Sequence, residues 1–307
     1  MQILYWLESI RMPGLNEFML AITTLGEETA FLVLALIFFW CVDKRRGYFL
    51  MAVGFAGTMI NQFLKLWFRI PRPWVLDENF TILEAAREAA TGYSFPSGHT
   101  TSAVGTFGSV AASSERRRTR IIAITLAVLV GISRMYVGVH TPQDVLVGAL
   151  TAIVMILLCR KVTLYDHPVG MKVLVAALIA MGVGLLAFVS LYPFPADTDP
   201  HNLESGLKNA YTMIGCMSGV AIVYVVDRKY LQFETKAVWW AQILKAVLGL
   251  GLVLLVKEGL RAPLELLLPV YPARAVRYFL IVITAGVLWP MTFPWFWRMG
   301  RKKEHIR

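Results

Sequence analysis

Long apolar runs alternate with short polar segments along the whole chain. Nine of these runs are close to the length of about 20 residues that a helix needs to cross the hydrocarbon core of a bilayer. Their predicted limits are 18–42, 47–68, 98–114, 120–139, 142–160, 171–193, 209–226, 237–257 and 275–297. The first run is the weakest, because Glu27 and Glu28 interrupt it. The pattern predicts an all-α, polytopic membrane helix bundle with about nine transmembrane helices.

The composition fits this class. The chain of 307 residues is 57% hydrophobic and only 16% charged, whereas about a quarter of the residues of a soluble domain are charged. The net charge of +10 raises the question of nucleic acid binding. However, the cations cluster in the segments that follow odd-numbered runs, at 44–46, 116–120, 160–161, 228–236 and 298–307. The positive-inside rule places these segments and the C-terminus in the cytoplasm and the N-terminus outside. We therefore expect no nucleic-acid partner.

The cysteines and the N-terminal residues provide no candidate for a catalytic or metal-binding site. Cys41, Cys159 and Cys216 fall in predicted spans with no metal-site spacing, so we expect them to be packing residues. No cleaved signal peptide is expected, since residues 1–30 have no basic segment followed by an apolar core and a cleavage site. Residues 1–14 suit a helix that lies in the membrane interface, or a frayed leader.

The most unusual polar stretch is 133–144, at the end of an apolar run. Arg134 precedes His140 by six residues, and Asp144 follows His140 by four. Thr141 and Pro142 are typical of a helix start, so His140 and Asp144 are expected on one helix face, within hydrogen-bonding reach. A structural membrane helix would contain none of these three polar side chains. The stretch is therefore a candidate site for a nucleophilic histidine.

Two other segments have matching chemistry. Pro71 should end the second helix near Ile70 and hold Arg72 in a stiff turn, with Lys65 one to two helical turns earlier. Further on, Ser97 is a natural N-cap for a helix that starts at Gly98 and His99, whose free backbone N–H groups would bind an anion. Between these segments, 78–90 is predicted as a short helix that acts either as a lid or as a connector. The predicted topology places all three polar segments on the same, outer, face of the membrane.

The three segments together resemble the signature of the type-2 phosphatidic-acid phosphatase superfamily. Lys65 is separated by six residues from Arg72 and Pro73, then comes the run from Pro96 to His99, and Arg134 is followed by His140 and Asp144. The signature covers 65–144, and the family's six-helix phosphatase core would cover about 18–193. We therefore divide the chain into a membrane phosphatase core, 1–193, and additional transmembrane helices of unassigned role, 194–307.

The resemblance implies a role for each residue. The histidine matching His140 attacks phosphorus and becomes a phosphohistidine, and Asp144 holds its other ring nitrogen. His99 matches the general acid and base. The expected phosphate-binding residues are Lys65, Arg72, Ser97, Gly98 and Arg134. Positioning and positive charge are most of what phosphoryl transfer needs, so no cofactor and no metal are expected.

The sequence thus predicts an integral-membrane lipid phosphatase of a bacterial cell membrane, with its active site facing outside, whose partners are a membrane lipid phosphate and the bilayer lipids. Candidate substrates are polyprenyl diphosphate, phosphatidate, phosphatidylglycerol phosphate and sphingoid-base phosphate, and undecaprenyl diphosphate is the first candidate for a bacterial host. One alternative is a phosphotransferase that passes the phosphoryl group to a second lipid or sugar. Another is a non-catalytic channel, transporter or scramblase with the same fold.

Overall fold

The computed structural model describes residues 1–87, 90 and 92–299. Within these residues every regular element is a helix, which confirms the all-α prediction. The α-helices are α1 Gln2–Ser9, α2 Pro13–Thr24, α3 Glu28–Ile37, α4 Lys44–Phe68, α5 Pro73–Leu76, α6 Gly98–Ser113, α7 Arg117–Tyr136, α8 Pro142–Leu164, α9 Pro168–Leu191, α10 Pro200–Val226, α11 Trp239–Gly259, α12 Arg261–Leu267, α13 Val270–Ile283 and α14 Phe293–Arg298. Short π-helical segments continue three of them: Phe38–Val42 after α3, Asp227–Leu231 after α10 and Thr284–Leu288 after α13. The basic tail beyond Met299 lies outside the described residues.

Each of the nine predicted spans corresponds to a helix. In the described part of the chain, seven helices are long and apolar enough to cross a membrane, and an eighth span results if the bent pair α2 and α3 is counted as one. The third predicted span is α6, which has 16 residues and is short for a full crossing. α6 starts directly after the polar cap residue Ser97 and ends at Ser113.

The first span is bent where Glu27 and Glu28 interrupt the apolar run. Here α2 and the helix that starts at α3 meet at 54°. Gly26 lies at the bend and packs closely on other helices. A β-carbon at this position would lie 2.8 Å from Val130 Cγ1 and 2.9 Å from the His99 carbonyl oxygen. The bend therefore places the start of α3 directly beside the start of α6.

The central helix of the bundle is α4. It packs most extensively against α6 and α8 and also contacts α3, α9 and α10. Its buried side chains include Phe49, Leu50 and Met59, which belong to the largest apolar cluster of the structure. The helix α10 packs against α9, α13 and α4, so that it lies against the helices of the predicted core. The division of the chain at residue 193 stays a prediction.

The loop after α4 differs from the prediction. Instead of a helix over 78–90, its described residues form a single 3₁₀ turn, Glu84–Ala86. Phe80 and Ile82 are both buried, and they pack with Leu4 of α1. Burial of alternate residues requires an extended backbone rather than a helix. Contacts with α1 and the end of α7 thus overrode the local helical pattern. Residues 88, 89 and 91 lie outside the described residues.

Candidate active site

One cavity of about 420 Å³ lies at the end of the bundle where α4 and α7 finish and α6 and α8 begin. Six of the eight predicted site residues line it: Lys65, Arg72, Gly98, His99, Arg134 and His140. The other two, Ser97 and Asp144, are buried behind this lining, where the Ser97 backbone N–H donates to the Asp144 carbonyl oxygen at 2.9 Å. The structure therefore brings all three polar segments to one place.

His140 lies in the short connection between α7 and α8, and it is 2% exposed. Its Nδ1 is 3.4 Å from Asp144 Oδ2, and its Nε2 is 3.0 Å from Arg72 Nη1. A guanidinium only donates hydrogen bonds, so we assign Nε2 as the acceptor and place the ring hydrogen on Nδ1, facing the carboxylate. In this neutral tautomer Nε2 carries the lone pair that a nucleophilic imidazole needs.

Asp144 is held by groups on both sides of the helix start. Its Oδ2 accepts a hydrogen bond from the Thr141 backbone N–H at 2.7 Å, and its own N–H donates to Thr141 Oγ1 at 3.3 Å. This reciprocal pair is a capping box and confirms the predicted helix start at Thr141 and Pro142. Ser94 Oγ also donates to Asp144 Oδ2 at 2.5 Å. The carboxylate is thus fixed in position 3.4 Å from His140 Nδ1, which forms no hydrogen bond among the described residues.

Arg134 is the most deeply buried cation of the site, with 1% exposure. Its Nη1 donates to Thr23 Oγ1 at 2.6 Å. Its Nε and Nη2 are buried and have no hydrogen-bond partner among the described residues. Buried guanidinium donors without acceptors are costly, so this geometry suits an anion that binds in the cavity.

The other two cations contact the backbone of the loop that precedes α6. Lys65 Nζ donates to the Tyr93 carbonyl oxygen at 2.5 Å, and Arg72 Nε donates to the Gly92 carbonyl oxygen at 3.0 Å. Arg72 Nη1 also donates to the Val139 carbonyl oxygen at 2.9 Å. These bonds hold both cations at the cavity wall next to His140.

The start of α6 forms the remaining wall. Gly98 is the first helical residue, so its backbone N–H has no acceptor within the helix. His99 lines the cavity, and its buried Nε2 has no hydrogen-bond partner in the described part of the chain. Ser97 caps the helix as predicted, since its Oγ accepts from the Thr100 N–H at 3.4 Å and from Thr100 Oγ1 at 2.9 Å. Its hydroxyl faces Thr100 rather than the cavity, so direct phosphate binding by Ser97 stays a prediction.

Burial sets the protonation state of His140. Desolvation, followed by the positive charges of Arg72, Arg134 and Lys65, holds the pKa of the His140 imidazole well below its ordinary value of 6.5. His140 is therefore neutral at neutral pH.

Within residues 1–87, 90 and 92–299, no three His, Cys, Asp or Glu side chains are grouped so that they could hold a metal ion.

Four contributions to this site were missed from the sequence. Ser94 donates a hydrogen bond to Asp144, and Thr23 accepts one from Arg134. Asn61 of α4 donates to the Pro96 carbonyl oxygen at 3.3 Å and so ties the turn before α6 to the central helix. The fourth is α10, which adds three polar cavity residues: Asn202, Ser205 and Asn209. Their spacing of three and four residues on one helix face was the available signal.

Comparisons with known proteins agree with this arrangement. A family profile described as the PAP2 superfamily matches residues 46–168, a range that contains every predicted site residue. A second profile, described as the PAP2 superfamily phosphatase transmembrane extension, matches residues 211–301. No solved structure matches the chain.

Several characterised proteins are similar in sequence. Phosphatidylglycerophosphatase B of Bacillus subtilis (strain 168) is 36% identical over 152 residues, which cover 45% of this chain and 70% of that protein. Undecaprenyl-diphosphatase BcrC of the same organism is 33% identical over 142 residues, which cover 46% of this chain and 70% of that protein. A dihydrosphingosine 1-phosphate phosphatase of Schizosaccharomyces pombe is 26% identical over 207 residues, which cover 64% of this chain and 50% of that protein.

Proposed function

The chain belongs to the PAP2 superfamily, and we propose that it releases phosphate from a membrane lipid by way of a phosphohistidine at His140. It is an integral-membrane protein of a lipid phosphatase family. The similar proteins named above are phosphatases of a glycerolipid phosphate, a polyprenyl diphosphate and a sphingoid phosphate. An amphiphile with a terminal phosphate is what these substrates have in common.

The observation that carries this proposal is that one cavity contains both the unpartnered N–H donors of Arg134 and the neutral imidazole of His140. Arg134 directs two unpartnered donors into its buried surroundings, and Lys65 and Arg72 lie on the same cavity wall. The three cations repel one another, and the carboxylates of Asp144 and Glu27 next to them are outnumbered, so a bound anion would reduce the repulsion. A phosphoryl group would satisfy Arg134 and would be within reach of His140 Nε2.

In the first half-reaction, His140 Nε2 attacks phosphorus. The new N–P bond forms as the bond from phosphorus to the leaving oxygen breaks, and His99, which takes up a proton when the anionic substrate binds beside it, gives this proton to the leaving oxygen. The ring of His140 becomes positive, and Asp144 stabilises this charge through the Nδ1–H group. The three cations and the Gly98 N–H hold the equatorial phosphoryl oxygens as charge develops on them.

In the second half-reaction, water replaces the lipid. His99, now neutral, takes a proton from water while the water oxygen attacks phosphorus and the N–P bond breaks. Inorganic phosphate leaves, and His140 returns to its neutral form with its Nε2 lone pair. His99 is again protonated, so the cycle closes without any other reactant.

We place the site at the outer face of the membrane and the C-terminus in the cytoplasm, in a bacterial cell membrane. The support is the position of the cavity at the C-terminal end of α4, whereas the basic residues 44–46 lie at its N-terminal end. Positive loops stay in the cytoplasm, so the opposite end of α4 faces outward. With this orientation, undecaprenyl diphosphate and phosphatidylglycerol phosphate are both accessible substrates.

We predict that the purified protein releases phosphate from a lipid phosphate in detergent and that EDTA leaves the rate unchanged. Three side-chain cations supply the positive charge that a metal would otherwise supply. Phosphate release with and without EDTA tests this, and His140→Ala is the blank. Loss of activity on chelation, restored by a divalent cation, would overturn metal independence.

A ³²P-labelled substrate separates hydrolysis from transfer, because a phosphotransferase would deliver the label to an acceptor lipid or sugar.

The lowered pKa of His140 predicts the acidic limit of activity. His140 attacks only when it is neutral, so kcat/KM is expected to be maintained below pH 6.5 and to fall only as the pH passes through the lowered pKa. Ring NMR signals of His140, assigned with His140→Gln, should begin to titrate below pH 6.5 as well. The substrate phosphate is titrated separately by ³¹P NMR. A His140 signal that titrates at or above pH 6.5 would contradict the assigned environment.

A further inference from the structure

The helix α10 presents a row of polar side chains to the cavity. Asn202, Ser205 and Asn209 follow one another at intervals of three and four residues, which places them on one face of the helix. These three residues precede residue 211, where the match to the extension profile begins within α10. The roles assigned above to the site residues do not involve this wall of the cavity.

These side chains have no hydrogen-bond partner in the structure. Among the described residues, neither the two asparagines nor Ser205 donates or accepts a side-chain hydrogen bond, although Asn202 is only 8% exposed. Across the cavity, Gln62 of α4 is equally uncommitted, and Ser102 Oγ of α6 is buried without a partner. Amides and hydroxyls that line a cavity without protein partners are available to a polar ligand or to water.

The α10 residues that line the cavity are uncharged. The lining cations, Lys65, Arg72 and Arg134, come from α4, the turn after it and α7, and the carboxylate of Glu27 lies near Arg134. A second phosphate beside α10 would meet only uncharged amides and a hydroxyl, whereas hydroxyl groups could both donate to and accept from amides. The chemistry therefore suits a neutral, hydroxyl-bearing group.

The α10 wall is continuous with the phosphate end. A β-carbon built on Gly92 would lie 3.4 Å from Asn202 Oδ1, and the Asp199 backbone N–H donates to the Tyr93 hydroxyl at 3.4 Å. The carbonyl oxygens of Gly92 and Tyr93 in turn accept from Arg72 and Lys65. One ligand can thus contact the cations with its phosphate and α10 with the adjoining part of the molecule.

We propose that Asn202, Ser205 and Asn209 form a subsite on α10 that recognises free hydroxyl groups next to the phosphate, as in a glycerol or sugar unit. This inference rests on the proposed function, and it narrows the substrate to a phosphomonoester of a hydroxylated headgroup. It places a diphosphate lower among the candidates. The N-terminal half of α10, which leads into the segment matched by the extension profile, then has a chemical role, because it contacts the group to which the phosphate is attached.

The test compares three substrates on the full-length protein in detergent. Phosphatidylglycerol phosphate carries a free hydroxyl beside its terminal phosphate, phosphatidate carries none, and undecaprenyl diphosphate presents a second phosphate instead. A site built to bond a hydroxyl discriminates strongly against a ligand that lacks it, so we expect kcat/KM to favour phosphatidylglycerol phosphate over phosphatidate by at least about tenfold. Asn209→Leu and Ser205→Ala should each reduce this ratio, while Ser218→Ala, on α10 away from the cavity, should keep it.

Both rates come from one preparation, so partial misfolding of a variant cancels in the ratio. The subsite would be overturned if Asn209→Leu and Ser205→Ala left the ratio of kcat/KM for phosphatidylglycerol phosphate and phosphatidate unchanged. It would also be overturned if undecaprenyl diphosphate were the best substrate. In either case, phosphate release that depends on His140 would leave the proposed function standing. Failure to release phosphate from any of the three lipids would remove the proposed function and the subsite together.

Discussion

Replacing His140 with alanine is expected to lower phosphate release from every lipid substrate by about 10³-fold or more. The reason is that Nε2 of this buried ring is the atom that bonds to phosphorus, and its other nitrogen lies 3.4 Å from Asp144 Oδ2. Among the described residues that line the cavity, His140 is the one whose unprotonated ring nitrogen has a carboxylate next to the other ring nitrogen. Phosphate release, measured over enough protein to detect slow turnover, gives the fold-change.

The matched control is His201→Ala, which removes an exposed histidine at the start of α10. Its rate should equal that of the wild type, and both variants should elute as the wild type does in size-exclusion chromatography. A His140→Ala protein that folds and retains more than about a tenth of the wild-type rate would contradict the role of His140, because loss of a nucleophile removes the reaction path itself.

Replacing Arg134 with methionine is expected to lower kcat/KM by about 10²- to 10³-fold while the protein becomes no less stable to heat. The loss of activity follows from the loss of a buried charge that stabilises the transferred phosphoryl group. The thermal result follows from the unliganded structure, where Nε and Nη2 of Arg134 have no partner among the described residues. Replacing such a cation by an apolar side chain of similar size removes a desolvation cost.

Arg11→Met is the control for this contrast. Arg11 donates from Nε to the Tyr136 carbonyl oxygen and from Nη1 to the Thr81 carbonyl oxygen, both at 3.0 Å. Its replacement should lower the melting temperature and affect kcat/KM less than the Arg134 variant does. If Arg134→Met lowered the melting temperature as Arg11→Met does and left kcat/KM unchanged, Arg134 would be a structural residue and the anion site would be misassigned.

Much of this site could be predicted because membrane crossing limits where helix ends can lie. Lys65, His99 and His140 each lie within two turns of a helix terminus, and alternation of spans brings those termini to one face. The capping signals at Ser97 and Thr141 are local, so short sequence windows contain them. The segments therefore met as expected, even though α6 is too short to be a regular span.

The parts that could not be predicted depend on packing between distant segments. Thr23 reaches Arg134 only because the first span bends at Gly26, and Ser94 reaches Asp144 because of the path of its loop. Neither the bend nor the path is fixed by local preference, as the extended course of Phe80 and Ile82 illustrates. Asn202 and Ser205 lie in the polar segment before the predicted span 209–226, and only the packing of α10 on α4 gives them a cavity to face.

The central claim is that His140 carries the phosphoryl group during turnover. The most direct measurement is to mix the protein with a ³²P-labelled lipid phosphate, stop the reaction in alkaline detergent and map the labelled residue by mass spectrometry. We predict label on His140 that disappears when unlabelled substrate is added as a chase, and no label in His140→Ala. Label on another residue, or phosphate release at the wild-type rate in His140→Ala, would contradict the phosphohistidine mechanism.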